Sequence, residues 1–180
     1  MGGFVWALHV GQNLVSLNSM LDQATVESSL LKWMEEFVEV PHPSLGGWPP
    51  CPFARQARLS KNIDIRIGTD PYNDCISLLD YDWSKEVVVF WYNDMDPKLF
   101  IDLVNRANSV LLERDIVALE DHPATEELIA GVKMNFGLCP IIVLQKNSKL
   151  NQSADQLKEK GYYHSCSQSD LDKIVTWRYK

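Results

Sequence analysis

Two periodicities alternate along this chain, and their order predicts the fold. From about residue 25 to 39, Leu30, Leu31, Met34, Phe37 and Val38 recur on one helical face while Glu35 and Glu36 take the other, with Thr25 as the expected N-cap. Pro41 and Pro43 end that helix. Ile63, Ile65 and Ile67 then alternate with Asp64 and Arg66, the signature of a half-exposed strand, before Gly68-Thr69-Asp70-Pro71 breaks it. Residues 74–82 read as a further short strand. The continuous run of residues 86–92, EVVVFWY, predicts a central strand buried on both faces, with Trp91 and Tyr92 pointing to opposite sides. Asp96-Pro97 opens the clearest helix, whose stripe runs from Leu99 and Phe100 to Val110 and Leu111.

Ile116–Leu119 predicts the next strand, residues 125–130 a short helix, and Leu138–Gln145 another buried strand. A helix over about 151–160 ends at Gly161, and Ser169 is placed to cap a last one carrying Leu171, Ile174 and Val175. Strand–helix–strand followed by strand–helix implies an α/β (α+β) fold. The expected form is a ferredoxin-like or split βαβ sandwich, with helices mainly on one face of a mixed sheet; a small doubly wound sheet is the alternative. Phe4, Trp6 and Leu8 alternate, but residues 1–22 are otherwise poorly periodic. They are expected to form an extension, with residues 23–180 as one domain.

Composition narrows the function classes. Of 180 residues, 46% are hydrophobic and 23% charged, enough apolar surface to offset the ordering of one domain. The 24 acidic and 17 basic side chains give a net charge of −7, and the basic residues are scattered, so nucleic acid is not an expected partner. No apolar run is long enough to span a bilayer, and Trp6 stands where a myristoylation signal needs Ser or Thr. The four cysteines lack a C-x-x-C pair and the start lacks a secretory pattern, which together imply reduced thiols in a cytoplasmic protein.

Candidate chemistry gathers in two places. Residues 40–53, VPHPSLGGWPPCPF, hold five prolines and two glycines, so they form a shaped loop. There Cys51 precedes a helical turn and Arg55, an arrangement expected to lower a thiol pKa, and His42 is close enough in sequence to serve as its base. The bland reading makes Cys51 a small buried hydrophobe and His42 a capping group. The second place is Glu120-Asp121-His122, at the end of a predicted strand, where a carboxylate beside an imidazole suits base or metal chemistry. A turn before Pro123 explains the same residues. Were the two places to meet, His42, Cys51, Glu120 and His122 would form a mixed donor set for zinc or iron.

Cys51-Pro52 and Cys139-Pro140 also resemble heme-regulatory dipeptides, but two such short matches do not assign heme, and Cys139 precedes an apolar strand that makes it core. Trp48 is the loop's expected exposed anchor. Walker, G-x-G-x-x-G and G-x-S-x-G motifs are all missing from the sequence.

Trp33, Glu36, Phe37 and Val38, followed by Cys51-Pro52-Phe53-Ala54-Arg55, resemble an uncharacterised bacterial family with a Cys-Pro-Phe-Ala-basic motif. The likeness extends toward His122-Pro123, while the His42–Pro50 stretch and the C-terminal part depart from it. It draws attention to Cys51 and implies no activity. Three functions follow as expectations. The first is a small intracellular enzyme acting on a small-molecule substrate through Cys51, His42, Arg55, Glu120 and His122. The second is an accessory or viral interaction module whose loop 40–53 grips a protein partner. The third is a homo-oligomeric domain that binds a small ligand.

Overall fold

The computed structural model describes residues 21–179. Residues 1–20 of the expected extension, with Phe4, Trp6 and Leu8, lie outside them. Helix α1, Gln23–Trp33, is capped one turn earlier than Thr25 predicts: Asp22 accepts the Thr25 N–H at 2.8 Å. Leu21 and Asp22 thus belong with the folded unit, since Leu21 also packs against the α1 cluster. The helix runs on as a π turn at Met34–Val38, and a short helix α2, Ala54–Leu59, follows the proline loop.

Strand β1 (Ile63–Ile67) leads through α3 (Pro71–Ile76) to β2 (Val87–Trp91), and α4 (Pro97–Leu111) carries the chain to β3 (Ile116–Asp121). A hairpin of β4 (Leu128–Ile129) and β5 (Val132–Lys133) precedes β6 (Ile141–Lys146), α5 (Asn147–Glu159) and α6 (Gln168–Ile174). The main sheet has the order β1-β2-β6-β3, with β1 parallel to β2 and β6 antiparallel to both of its neighbours. Because β6 enters between β2 and β3, the unit β2–α4–β3 is a split βαβ. The fold is mixed α/β, as the alternation of periods implies; the parallel β1–β2 pair separates it from an all-antiparallel ferredoxin-like sheet.

Two local expectations fail for identifiable reasons. Residues 74–80 are helical and 81–82 irregular, because Asp70 accepts the Asn73 N–H at 3.0 Å with Pro71 at the first helical position and α3 runs on as a 3-10 turn at Ser77–Asp80. This is the same device as Asp96-Pro97, where Asp96 accepts from Leu99 N at 2.9 Å. Residues 125–130 do not form a helix: Ala130 and Gly131 take φ of 49° and 77°, and the chain turns back as the β4–β5 hairpin. The last helix is capped by Ser167 in a reciprocal box with Asp170, two residues before Ser169.

The faces of the sheet are covered differently. Val88, Phe90, Ile116, Ala118, Ile142 and Leu144 meet Phe100, Val104, Ala107 and Leu111 of α4 and Cys75 and Leu78 from the α3 region, all buried. The helices do not all share this face: α1 lays Val26 and Leu30 on Val89, Trp91 and Ile141 from the other side. Trp91 and Tyr92 are both core, at 0% and 2% exposure. At one edge, the buried Asn108 side chain donates to Ala118 O at 2.8 Å and accepts from Ala118 N at 2.9 Å, closing β3 as another strand would.

Candidate functional site

Between the α1 face of the sheet and the segments that flank it lies a cleft of about 1020 Å³. Its floor is Val87, Val89, Ile141 and Val143; its walls are the α1–π-turn segment, the Pro50–Ala57 stretch and the C-terminal part of the chain from Ala154 to Arg178. The proline loop is fixed there by its backbone. Cys51 N donates to Val38 O at 3.0 Å, and the Tyr162 hydroxyl donates to Pro50 O at 2.6 Å and Pro49 O at 3.2 Å. Tyr162 in turn meets Trp48 edge-on at 5.8 Å. Trp48 is therefore half-buried, bound into the loop rather than offered as an exposed anchor.

Cys51 lines the cleft, with its surface open to that space but with protein around it on several sides. Desolvation pushes its thiol above the ordinary range, outweighing the opposing pull of the Phe53 and Ala54 backbone N–H groups, and Glu39 adds a smaller push the same way. The expected lowered pKa is thus reversed: α2 is one short turn and a half, too little to hold a thiolate against burial. Arg55 is exposed. The guanidinium engaged in this region is that of Arg58, which donates to the buried Glu39 carboxylate at 2.7 and 2.9 Å. His42 makes no hydrogen bond to Cys51; its Nδ1 accepts the Ser44 N–H at 3.2 Å and caps the 3-10 turn Pro43–Leu45.

The second candidate place is also committed to structure. His122 is 6% exposed, with Nδ1 accepting from Ala124 N at 3.1 Å and Nε2 lying 3.1 Å from Met95 O. A neutral ring with its proton on Nε2 satisfies both contacts and leaves no lone pair for catalysis. Asp121 is equally occupied: Oδ1 accepts from Asn135 Nδ2 at 2.7 Å and Oδ2 from Phe136 N at 2.6 Å. Glu120 differs. Its carboxyl, raised above the ordinary value by burial and then by neighbouring Asp121, borders both the main cleft and a smaller hollow of about 290 Å³. Glu127 and Lys173 border the same two spaces, and burial, with Asp121 and Glu120 nearby, raises Glu127 as well.

Among the described residues, no three His, Cys, Asp or Glu side chains converge as a metal would require, so His42, Cys51, Glu120 and His122 do not form the donor set envisaged for zinc or iron. Cys139 is 1% exposed within the core, as its apolar strand implies, and burial raises its thiol to about 11.

Sequence reasoning passed over the C-terminal wall. Tyr162 and Tyr163, two of several aromatics able to line a pocket, and Ile174 of α6 line the cleft together. Arg178, 3% exposed, holds that wall by donating from Nε and Nη2 to Ile174 O at 3.1 and 2.8 Å, at the α6 C-terminus, where a cation suits the helix dipole.

The molecule so defined is a mixed α/β domain with one sheet face sealed and the other partly open as an apolar cleft. Comparison with protein-family models, curated proteins and solved structures gives no match to this chain. Among the described residues, no helix is long and apolar enough to cross a membrane.

Proposed function

We propose that this protein binds a small, predominantly apolar molecule in the cleft between the sheet and α1. The observation that carries this reading is the cleft itself: about 1020 Å³, floored by Val87, Val89, Ile141 and Val143. That is the upper end of the roughly 300–1,000 Å³ of ordinary ligand pockets, which combine apolar walls with a few polar groups. Cys51, Tyr162 and Glu120 are such groups here. Binding is favoured over thiolate or metal catalysis because the Cys51 thiol is shifted toward its protonated form, both ring nitrogens of His122 meet backbone groups, and His42 caps a turn through Nδ1. The free thiols of Cys51, Cys75, Cys139 and Cys166 support a reducing, cytoplasmic setting.

Titration with the fluorescent apolar probe anilinonaphthalene sulfonate tests the reading. Saturable one-to-one binding is expected, weakened at least tenfold by Val143→Trp, which fills the floor. The melting temperature of that variant serves as the folding control. A folded protein that takes up no probe, or takes it up equally well with Trp at 143, would refute the assignment.

A further inference from the structure

The two edges of the sheet are finished differently. β3 is closed at Ala118 by Asn108, whereas β1, the opposite edge, has β2 as its strand neighbour among the described residues. Val87 N donates to Asn62 O, and Gly68 N to Trp91 O, so the even-numbered positions of β1 turn their backbone groups toward β2. Ile63, Ile65 and Ile67 therefore turn theirs outward. Gln23 Nε2 reaches Ile65 O at 2.8 Å, which confirms that direction and still leaves the carbonyl a second lone pair. Ile67 is 54% exposed. IDIRI holds no lysine, proline or bulge to blunt the edge, and its two charges, Asp64 and Arg66, are paired with each other rather than left to repel a neighbouring strand.

From this edge we infer that two copies of the chain pair antiparallel through β1, joining their sheets across a twofold axis at Ile65. The argument is one of self-complementarity. In that register Ile65 meets its counterpart and Ile63 meets Ile67 of the second copy, giving three pairs whose outward N–H and C=O groups exchange hydrogen bonds. On the opposite side of the strand, Asp64 meets Arg66 of the second copy, and Arg66 meets Asp64. Within one chain Arg66 Nε already donates to Asp64 at 2.9 Å, and its guanidinium lies 5.1 Å from the Tyr81 ring, which holds both charges on that side. Two copies thus produce an alternating square of four charges, each with an opposite charge along its own strand and another across. A one-residue slip would set isoleucines against charged residues, so the register is specified.

Light scattering on the full chain, from micromolar to several hundred micromolar, reads the outcome. The expected result is a concentration-dependent species of twice the 20.5 kDa chain mass. Asp64→Arg and Arg66→Asp should each be monomeric, because like charges then face each other twice. An equimolar mixture of the two should recover the dimer as a heterodimer. Circular dichroism checks that each variant is folded. Should either fail to fold, Ile67→Lys, at an exposed position, is expected to give the same monomer. A wild-type chain that stays monomeric throughout the range would overturn the inference. So would a dimer that survives Asp64→Arg, Arg66→Asp and Ile67→Lys alike, or folded charge variants that do not associate on mixing. None of these readings depends on whether the cleft takes up a ligand.

Discussion

The two faces of the sheet use the same kinds of residue to opposite ends. On one, Phe90, Ile142 and Leu144 are covered by Phe100, Val104 and Leu111 of α4, and every one of these is at most 5% exposed. On the other, Val87 and Val143 are only partly buried, because α1 and the C-terminal wall stand apart and leave the cleft between them. Hydrophobic pattern alone does not distinguish these outcomes: alternation says which side chains share a face, not whether a neighbour fills the space above them. The difference lies in the connections. The sealed face is covered by α3 and α4, which lie between the strands they connect, whereas the other is walled by segments from both ends of the described chain, α1, the proline loop and α6.

The comparison is broken most strongly on the sealed side. Phe100→Ala empties a fully buried position that touches Tyr92 and His122, with ring centroids at 5.4 and 5.7 Å. A loss of about 3–5 kcal/mol in urea unfolding is expected, the range for large-to-small aromatic changes in a rigid core. A cost below about 1 kcal/mol would mean that α4 is less tightly seated than its burial implies. Gly68→Ala comes next. A Cβ there would meet Tyr92 Cε1 at 2.3 Å, and Tyr92 cannot simply swing away, since its hydroxyl is held by Asp74 at 3.1 Å. Overpacking of this kind costs about 1–3 kcal/mol, and a melting curve compared with wild type reads it.

Val143→Ala makes the matching change on the cleft side. Val143 already faces open space, so removing its methyl groups creates little new cavity, and about 1 kcal/mol or less is expected from the same unfolding experiment. Probe affinity should change at the same time, which Phe100→Ala should not cause in the fraction that remains folded. Equal stability losses at the two positions would erase the distinction between the faces.

What could be read from the sequence follows the same division. The run EVVVFWY and the stripe Phe100–Val104–Ala107–Leu111 are dictated by local periodicity, and they stand where the pattern puts them. Asp70-Pro71 carries the same capping chemistry as Asp96-Pro97, but Gly68-Thr69-Asp70-Pro71 reads first as the break that ends β1, and the short apolar run after it suits a strand as well as a helix. Ala130-Gly131 makes a hairpin turn without the usual Asn-Gly, so no local signal marked it. At the candidate site, the proline content of residues 40–53 announced a fixed loop and put Cys51 on its surface. What set the thiol's chemistry was invisible, because it is desolvation in the folded chain, where Tyr162 is held against Pro50 from more than a hundred positions away, that raises its pKa. His122 was ambiguous for a similar reason: its partner Met95 is 27 positions distant, and only the fold reveals that both ring nitrogens are taken.

The finest test sits where the two sides meet, at Glu120 on the edge strand. By register its side chain shares the face of Ile142 and Ala118, yet the cleft wraps around β3 and reaches it. Burial, reinforced by Asp121, raises its folded pKa above the ordinary 4.5, so between 4.5 and that raised value the folded chain binds more protons than the unfolded one. Stability carried by this group is therefore full at low pH and declines as pH climbs through that interval, the reverse of a salt-bridged carboxylate. Glu120→Gln removes the titration while keeping the shape. Urea unfolding across pH 4 to 8, with pH chosen around the ordinary carboxylate value, should give nearly matched stabilities for wild type and variant at the acidic end, and a more stable variant toward neutrality. A variant less stable than wild type at neutral pH would show that the ionised carboxylate has a partner in the folded state. Glu120 would then belong with Asp121 and His122 as a structural tie rather than as a carboxyl open to the cleft.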